Sequence, residues 1–422
     1  MAEKRVCLAY SGGLDTSVIL AWLIEQGYTV VAFLADVGQN EDWDAVKAKA
    51  EKIGAERMII QDLQQELVEE LVWPAVQCNA IYEDAYLLGT SLARPVIARA
   101  MMKVAKQYNC EFLSHGCVPD INVTYSPSYS QVRFELAWKA LDQKTKTIIP
   151  WRIPEFCERF AGRQALLDFA ESKGVPVTST KAKPFSMDAN LIHCSYEAGL
   201  LEQPELEPPA DMWTMTVDPM KAPDEPTRFT IHFEKGIPIK LEVGDKVITG
   251  SLEIFKAANE IGRANGVGRV DIVESRFIGL KSRGCYDTPG LTILRTAHRD
   301  LEGLVMDSKV RFIRDQMVTA NWSACLYNGM YFSPEREFLH NSIIFSQRHV
   351  EGKVNMVAYK GNAFVVGRSS ETSNLYSETE SSMDTLEGFS PMDTSGFIAI
   401  QAIRLEKYGA RKIRDGEPLA PV

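Results

Sequence analysis

Val6-Cys7-Leu8-Ala9-Tyr10 runs into Ser11-Gly12-Gly13-Leu14-Asp15-Thr16-Ser17 and then into Val18-Ile19-Leu20-Ala21-Trp22-Leu23-Ile24. The reading of these residues decides the fold. A short, uninterrupted apolar run is the pattern of a strand buried on both faces, and the apolar run after the turn is long enough for a buried helix. Gly12 and Gly13 permit backbone angles closed to other residues, and the helix that follows offers unpaired N–H groups and the positive end of its dipole. Such a turn accepts an anion without any cationic side chain. It lacks the Gly-Lys-Ser/Thr ending of a Walker loop and the three spaced glycines of a dinucleotide fingerprint, so neither of those motifs accounts for it.

Working outward, Tyr28 to Asp36 and Arg57 to Asp62 read as further strands. Helical patterns run from about Trp43 to Ile53, Gln64 to Leu71 and Leu92 to Tyr108, and Phe112-Leu113-Ser114-His115-Gly116 reads as another strand end. Short β-branched strands alternating with amphipathic helices predict a doubly wound, mainly parallel α/β sheet. Ligands sit beyond the carboxyl ends of such strands, so Ser11 to Ser17, Ala35-Asp36 and Ser114-His115-Gly116 are expected to meet at one crevice.

After about residue 170 the pattern changes. Proline-rich stretches (Leu201 to Ala210, Asp218 to Pro226) precede alternating segments at Phe229 to Phe233 and Ile237 to Val243. A strand pair, Asn355 to Tyr359 and Ala363 to Val366, turns at Lys360-Gly361-Asn362. These predict a mixed α+β domain. Ser369 to Ser390 reads as loop, and a final helix near Phe397 to Lys412 carries Ile400, Ile403, Leu405 and Tyr408, more apolar surface than a free tail needs. The expected division is 1–172, a nucleotide-binding domain; 173–368, a mixed α+β domain; and 369–422, an arm and helix for oligomerisation.

Composition narrows the function. With 46 basic against 56 acidic residues the net charge is −10, and no basic block offers a footprint for nucleic acid. No stretch of about 18 uncharged apolar residues occurs, so no membrane partner is expected, and the start of the chain carries no secretory pattern; a cytoplasmic protein is expected. The eight cysteines include no Cys-x-x-Cys pair, which argues against a zinc knuckle or a disulfide framework.

The turn at Ser11 to Ser17 resembles the Ser-Gly-Gly-x-Asp-Ser/Thr pyrophosphate loop of the adenylating ATP pyrophosphatases. Polar motifs far apart in sequence narrow this further: Tyr82-Glu83-Asp84-Ala85-Tyr86-Leu87-Leu88-Gly89-Thr90-Ser91-Leu92-Ala93-Arg94-Pro95, Gln131-Val132-Arg133-Phe134-Glu135, Phe185-Ser186-Met187-Asp188-Ala189-Asn190-Leu191, Ser195-Tyr196-Glu197-Ala198-Gly199, Gly266-Val267-Gly268-Arg269, Ile272-Val273-Glu274, and Lys281-Ser282-Arg283-Gly284-Cys285-Tyr286-Asp287-Thr288-Pro289. In this order and spacing they resemble the argininosuccinate synthase family from Val6 to about Lys407. Many long motifs in one order are far harder to match by accident than one short one.

The resemblance implies a C–N ligase of arginine biosynthesis or the urea cycle. The ureido oxygen of citrulline attacks the α-phosphate of ATP, pyrophosphate leaves, and the amine of aspartate displaces AMP. ATP enters as a substrate with Mg2+, no prosthetic group is needed, and a homotetramer is expected. The nucleotide contacts it implies are Ala9, Tyr10, Ser11, Gly12, Gly13, Leu14, Asp15, Thr16, Ser17, Ala35, Ser114, His115 and Gly116. Asp15 reads either as a magnesium contact or as a carboxylate at a helix N-terminus. The implied citrulline contacts are Tyr86, Ser91, Arg133, Ser186, Ser195, Glu274 and Tyr286, with Arg133 forking the carboxylate and Glu274 taking the ammonium group. Helix capping is the alternative for Ser186 and Ser195. No side chain is expected to act covalently.

One segment departs from the family. Between Gly116 and Gln131 the family carries a small residue and then Thr-Gly-Lys-Gly-Asn-Asp, which holds aspartate and approaches the nucleotide. Here the longer run Cys117 to Ser130 has two prolines and no glycine, so it cannot make the same turn. Asp120, Asn122 and Thr124 are weak substitutes for holding aspartate. A working ligase with a rebuilt aspartate site and a catalytically impaired member that binds ATP and citrulline are both compatible with this departure. A tRNA-modifying member of the same loop superfamily is disfavoured by the acidic charge and the absence of a cysteine pair.

Overall fold

The structure, a computed structural model, describes residues 4–117, 129–176, 185–384 and 390–418. The chain divides into two units, Met1–Ser373 and Asn374–Val422. In the first, strands β1 (Arg5–Ala9), β2 (Thr29–Asp36), β3 (Arg57–Asp62), β4 (Phe112–His115) and β5 (Lys146–Ile148) form a sheet in the order β3-β2-β1-β4-β5, with every pairing parallel. β1 is central because it is apolar on both faces: Val6 and Leu8 enter one core with Val18 and Ile19, while Cys7 enters the other with Leu92 and Val96. Helix Leu14–Glu25 thus covers one face and helix Gly89–Gln107 the other. This is the doubly wound α/β fold expected from the alternating pattern, and its switch point lies where β2 and β4 flank β1.

The remaining strands are β6 (Ser186–Ala189), β7 (Cys194–Glu197), β8 (Thr227–Glu234), β9 (Ile237–Val243), β10 (Lys246–Thr249), β11 (Arg269–Ser275), β12 (Lys281–Asp287), β13 (Gly352–Tyr359) and β14 (Asn362–Ser369). They form two antiparallel sheets, β10-β9-β8-β13-β14 and β11-β12-β7-β6. The β13–β14 turn is tighter than the three residues read from sequence. Tyr359 pairs with Asn362, leaving Lys360 (φ 40°) and Gly361 (φ 87°) as a two-residue left-handed turn that matches strand twist.

Three helices differ in extent from the sequence reading. The one begun at Gln64 continues through a wide π turn at Val68–Val72 into Trp73–Gln77. The one placed at Leu92 begins at Gly89, after Leu88 takes a left-handed φ of 63°. The last spans Pro391–Arg414 in the second unit, capped by the Ser390 hydroxyl on the Met392 N–H.

A buried charge network holds the long helix Pro289–Val305. Glu302, fully buried, takes a two-pronged bond from Arg314, accepts from Asn79 Nδ2 at 2.7 Å and from Gln347 Nε2 at 3.0 Å, and sits one turn from buried His298. Although burial opposes its ionisation, His298 and Arg314 hold the Glu302 carboxyl down at about 2. Removing one partner strands the other charge. Arg314→Met is therefore expected to cost about 3–5 kcal/mol, read from the urea midpoint at constant m.

Candidate active site

A cleft of about 990 Å³ opens at the carboxyl ends of β1, β2 and β4. Ala9, Tyr10, Ser11, Gly13, Thr16, Ala35, His115 and Gly116 line it on one side, and Asp188 to Leu191, Asn259 and Arg263 on the other. The crevice predicted from strand ends is thus present.

The loop is held by its own side chains. Ser11 Oγ lies 3.1 Å from Thr16 Oγ1, and buried Ser17 lies 3.1 Å from the Tyr10 hydroxyl. Helix Leu14–Glu25 starts with no side-chain cap on its first N–H groups, the arrangement that receives an anion. Gly12 sits at φ +76°, and a Cβ there would meet Val46 at 3.1 Å. Gly116 is needed for a different reason: a Cβ would come within 2.5 Å of Thr16 Cγ2, where β4 ends against the helix start.

The sequence reading held that the turn needs no cation, yet one stands behind it. Lys49 Nζ donates to the Gly12 carbonyl at 2.7 Å, and burial lowers its pKa. Its helix, Trp43–Ile53, reads from sequence as one amphipathic helix among several, and no local signal marks this lysine.

Not every nucleotide candidate faces the cleft. Gly12, Leu14, Asp15, Ser17 and Ser114 lie outside its lining. Burial raises the pKa of Asp15, opposed by its own backbone N–H and by Arg163. Among the described residues no group of three or more His, Cys, Asp or Glu could hold a metal ion. Asp15 lies in the first turn of helix Leu14–Glu25, a position that suits either a helix N-terminal carboxylate or a single carboxylate near a phosphate-bound magnesium ion. His115, fully buried, is pushed up to about 9: burial opposes the charge, but Cys117 and Glu135, whose Oε1 lies 3.5 Å from Nε2, outweigh it.

Beside the cleft lies a second, buried polar pocket. Arg94 borders both the cleft and a small cavity lined by Ser91, Arg133 and Gly329. Arg133, 5% exposed, donates from Nε to the Tyr327 carbonyl at 2.9 Å. Burial lowers its pKa, and Arg94 and Arg276 add repulsion that an anionic ligand would relieve. Glu274 is fully buried; its Oε1 accepts from the hydroxyls of Tyr327 (2.9 Å) and Tyr286 (3.0 Å) and is ion-paired with Arg276 Nη1 at 3.2 Å. Its Oε2 has no partner among the described residues, nor does the buried hydroxyl of Ser91. The Tyr86 and Tyr286 rings stack at 4.0 Å.

Ser195 is buried opposite Tyr286 in the β7–β12 ladder and donates to the Asp188 carbonyl at 3.3 Å, while Ser186 is exposed at the start of β6. Neither caps a helix. The structure thus joins Tyr86, Arg133, Glu274 and Tyr286 in one cluster, borders it with Ser91, and leaves Ser186 exposed opposite Glu197 on the outer strand β6. Tyr327 was missed from sequence. It ends helix Ala320–Tyr327, and nothing in Cys325-Leu326-Tyr327-Asn328 signals a ligand. Asp120, Asn122 and Thr124 lie outside the described residues.

Comparison with known proteins agrees with this geometry. The arginosuccinate synthase N-terminal HUP domain matches residues 5–176, and the arginosuccinate synthase C-terminal domain matches 185–408. Argininosuccinate synthase of Saccharomyces cerevisiae is 57% identical, over 99% of this chain and 100% of its own. The Schizosaccharomyces pombe protein is 57% identical over 95% and 96%, and that of Danio rerio 49% over 97% of each. No finding supports a catalytically impaired member. Matched over nearly its whole length by both domains and by these relatives, the chain belongs to the argininosuccinate synthase family.

Proposed function

We propose that the chain joins citrulline to aspartate at the expense of ATP, releasing AMP and pyrophosphate. The observation that carries this reading is the pairing of two features: an anion-receiving loop at the head of the cleft, and beside it a buried polar cluster that includes the Arg133 guanidinium and the Glu274 carboxylate. The loop takes the phosphates of ATP, whose magnesium enters as the nucleotide's own counter-ion. Arg133 takes the citrulline carboxylate and Glu274 its ammonium group, leaving the ureido end to extend toward the α-phosphate.

The chemistry asks for placement more than for covalent work. Holding the ureido oxygen in line with the α-phosphate lets it attack as pyrophosphate leaves, and the amine of aspartate then displaces AMP. His115, buried at the cleft wall, accepts the Cys117 backbone N–H on Nδ1 at 3.3 Å with Nε2 3.5 Å from Glu135, and so gives the wall a fixed polar ring beside the nucleotide. Among the described residues no helix is long and apolar enough to cross a membrane. A homotetramer is supported by the exposed apolar residues Phe397, Ile400, Ile403, Leu405 and Tyr408 on helix Pro391–Arg414; light scattering of the purified chain tests it.

The reaction is tested by following products with both amino acids present. Equal amounts of AMP and pyrophosphate, formed only with citrulline and aspartate together, support the proposal. Release of ADP and phosphate contradicts it. Ser91 gives a finer check. Its hydroxyl is buried without a partner, so Ser91→Ala should leave the unfolding midpoint unchanged or slightly raised. Citrulline binding should nevertheless weaken by about 0.5–1.5 kcal/mol, measured by calorimetry.

A further inference from the structure

Two groups of the amino-acid pocket, Arg133 and Glu274, come from distant parts of the chain, yet one residue touches both. The carbonyl of Tyr327 receives Arg133 Nε at 2.9 Å, and its hydroxyl donates to Glu274 Oε1 at 2.9 Å. The Arg133 guanidinium carbon also lies 5.2 Å from the centre of the Tyr327 ring. The ring itself cannot swing. It is fully buried and lies flat on Tyr82, 3.8 Å between centroids and 5° between planes. Tyr82 is anchored in turn by its hydroxyl on the Ser275 carbonyl at 2.6 Å, next in sequence to Glu274.

We propose that Tyr327 is a positioning residue for the amino-acid substrate, setting the span between Arg133 and Glu274 and aiming the Glu274 carboxylate. The inference rests on the reading of this pocket as the citrulline site. Oε1 already accepts from Tyr327 and Tyr286 and is ion-paired with Arg276, so the carboxylate is locked and presents Oε2, which has no partner among the described residues. An ammonium group is thereby given one oxygen at one place, while the carboxylate of the same ligand meets Arg133.

The same contacts predict a pH signature. Arg276, Glu197, Tyr286, Tyr327, Tyr82 and Tyr86 are the titratable groups around Glu274. Burial raises the Glu274 pKa, and Arg276, Tyr327 and Tyr286 oppose that rise. Loss of the Tyr327 donor leaves burial less opposed, so protonation of Glu274 moves to higher pH.

Tyr327→Phe keeps the ring, the stack on Tyr82 and the carbonyl that holds Arg133. It should raise the KM for citrulline about tenfold, leave the KM for ATP unchanged, and shift the acid limb of citrulline affinity upward in pH. In a Glu274→Gln background the same change should have no further effect. An unchanged citrulline KM and acid limb would overturn the proposal, as would equal losses for ATP and citrulline with a lowered Tm. Arg133→Lys separates the two readings. If it weakens citrulline while Tyr327→Phe does not, the pocket stands and the positioning role falls; if the unmodified chain binds no citrulline, both fall.

Discussion

Gly12→Val is expected to remove measurable ATP binding while the protein remains folded. Gly12 occupies a left-handed φ of +76°, which costs a β-branched residue more than the roughly 1–2 kcal/mol that other side chains lose there. A Cβ would also press on Val46 at 3.1 Å, pushing the loop away from helix Trp43–Ile53 and stretching the Lys49 bond to the Gly12 carbonyl. The turn must then flatten, and its N–H groups no longer converge on the phosphates. Each hydrogen bond lost to a charged group is worth about 1.5 to 3 kcal/mol, so two suffice to lower affinity by more than about a hundredfold. Calorimetry with ATP and with pyrophosphate reads the loss. Wild-type affinity in a folded variant would remove the loop from the nucleotide site.

Arg133→Lys is expected to weaken citrulline by about ten- to a hundredfold and leave ATP affinity intact. The guanidinium is a rigid planar fork whose Nε is fixed on the Tyr327 carbonyl. An ammonium group can replace the charge, but it cannot both hold that carbonyl and grip a carboxylate with two parallel bonds. The expected loss equals about one charged hydrogen bond, 1.5 to 3 kcal/mol. Because Arg133 lies in the pocket beside Ser91 rather than on the phosphate loop, the nucleotide should not feel the change. Matching losses for both ligands, with a lower Tm, would mean that Arg133 supports the fold rather than the substrate.

The strand, loop and helix from Arg5 to Glu25 were legible because a buried strand, paired glycines and a helix start follow one another within a single local pattern. Three such strand ends then predicted the crevice by topology alone. Interruptions of the backbone were not legible. The π turn at Val68–Val72 falls where the sequence reads as ordinary helix as far as Leu71, and the one at Arg314–Thr319 lies in a stretch where the sequence pattern marks no element. The helix read from Leu92 through Pro95 to Tyr108 is present, but its start at Gly89, behind a left-handed Leu88, was not legible. The missed site residues share one cause. Lys49 and Tyr327 act on partners 37 and 194 residues away, through contacts that only the tertiary fold creates. Glu302 is similar: no local feature announces that Arg314 and Gln347 will reach it.

Exchange of labelled pyrophosphate into ATP tests the central claim most directly, because it isolates the first bond-making step from everything aspartate does. The chain should catalyse exchange when citrulline is present and aspartate is absent. The exchange should vanish in Gly12→Val and require far more citrulline in Arg133→Lys. No exchange with citrulline, or exchange that proceeds equally well without it, would contradict adenylation of citrulline at this site.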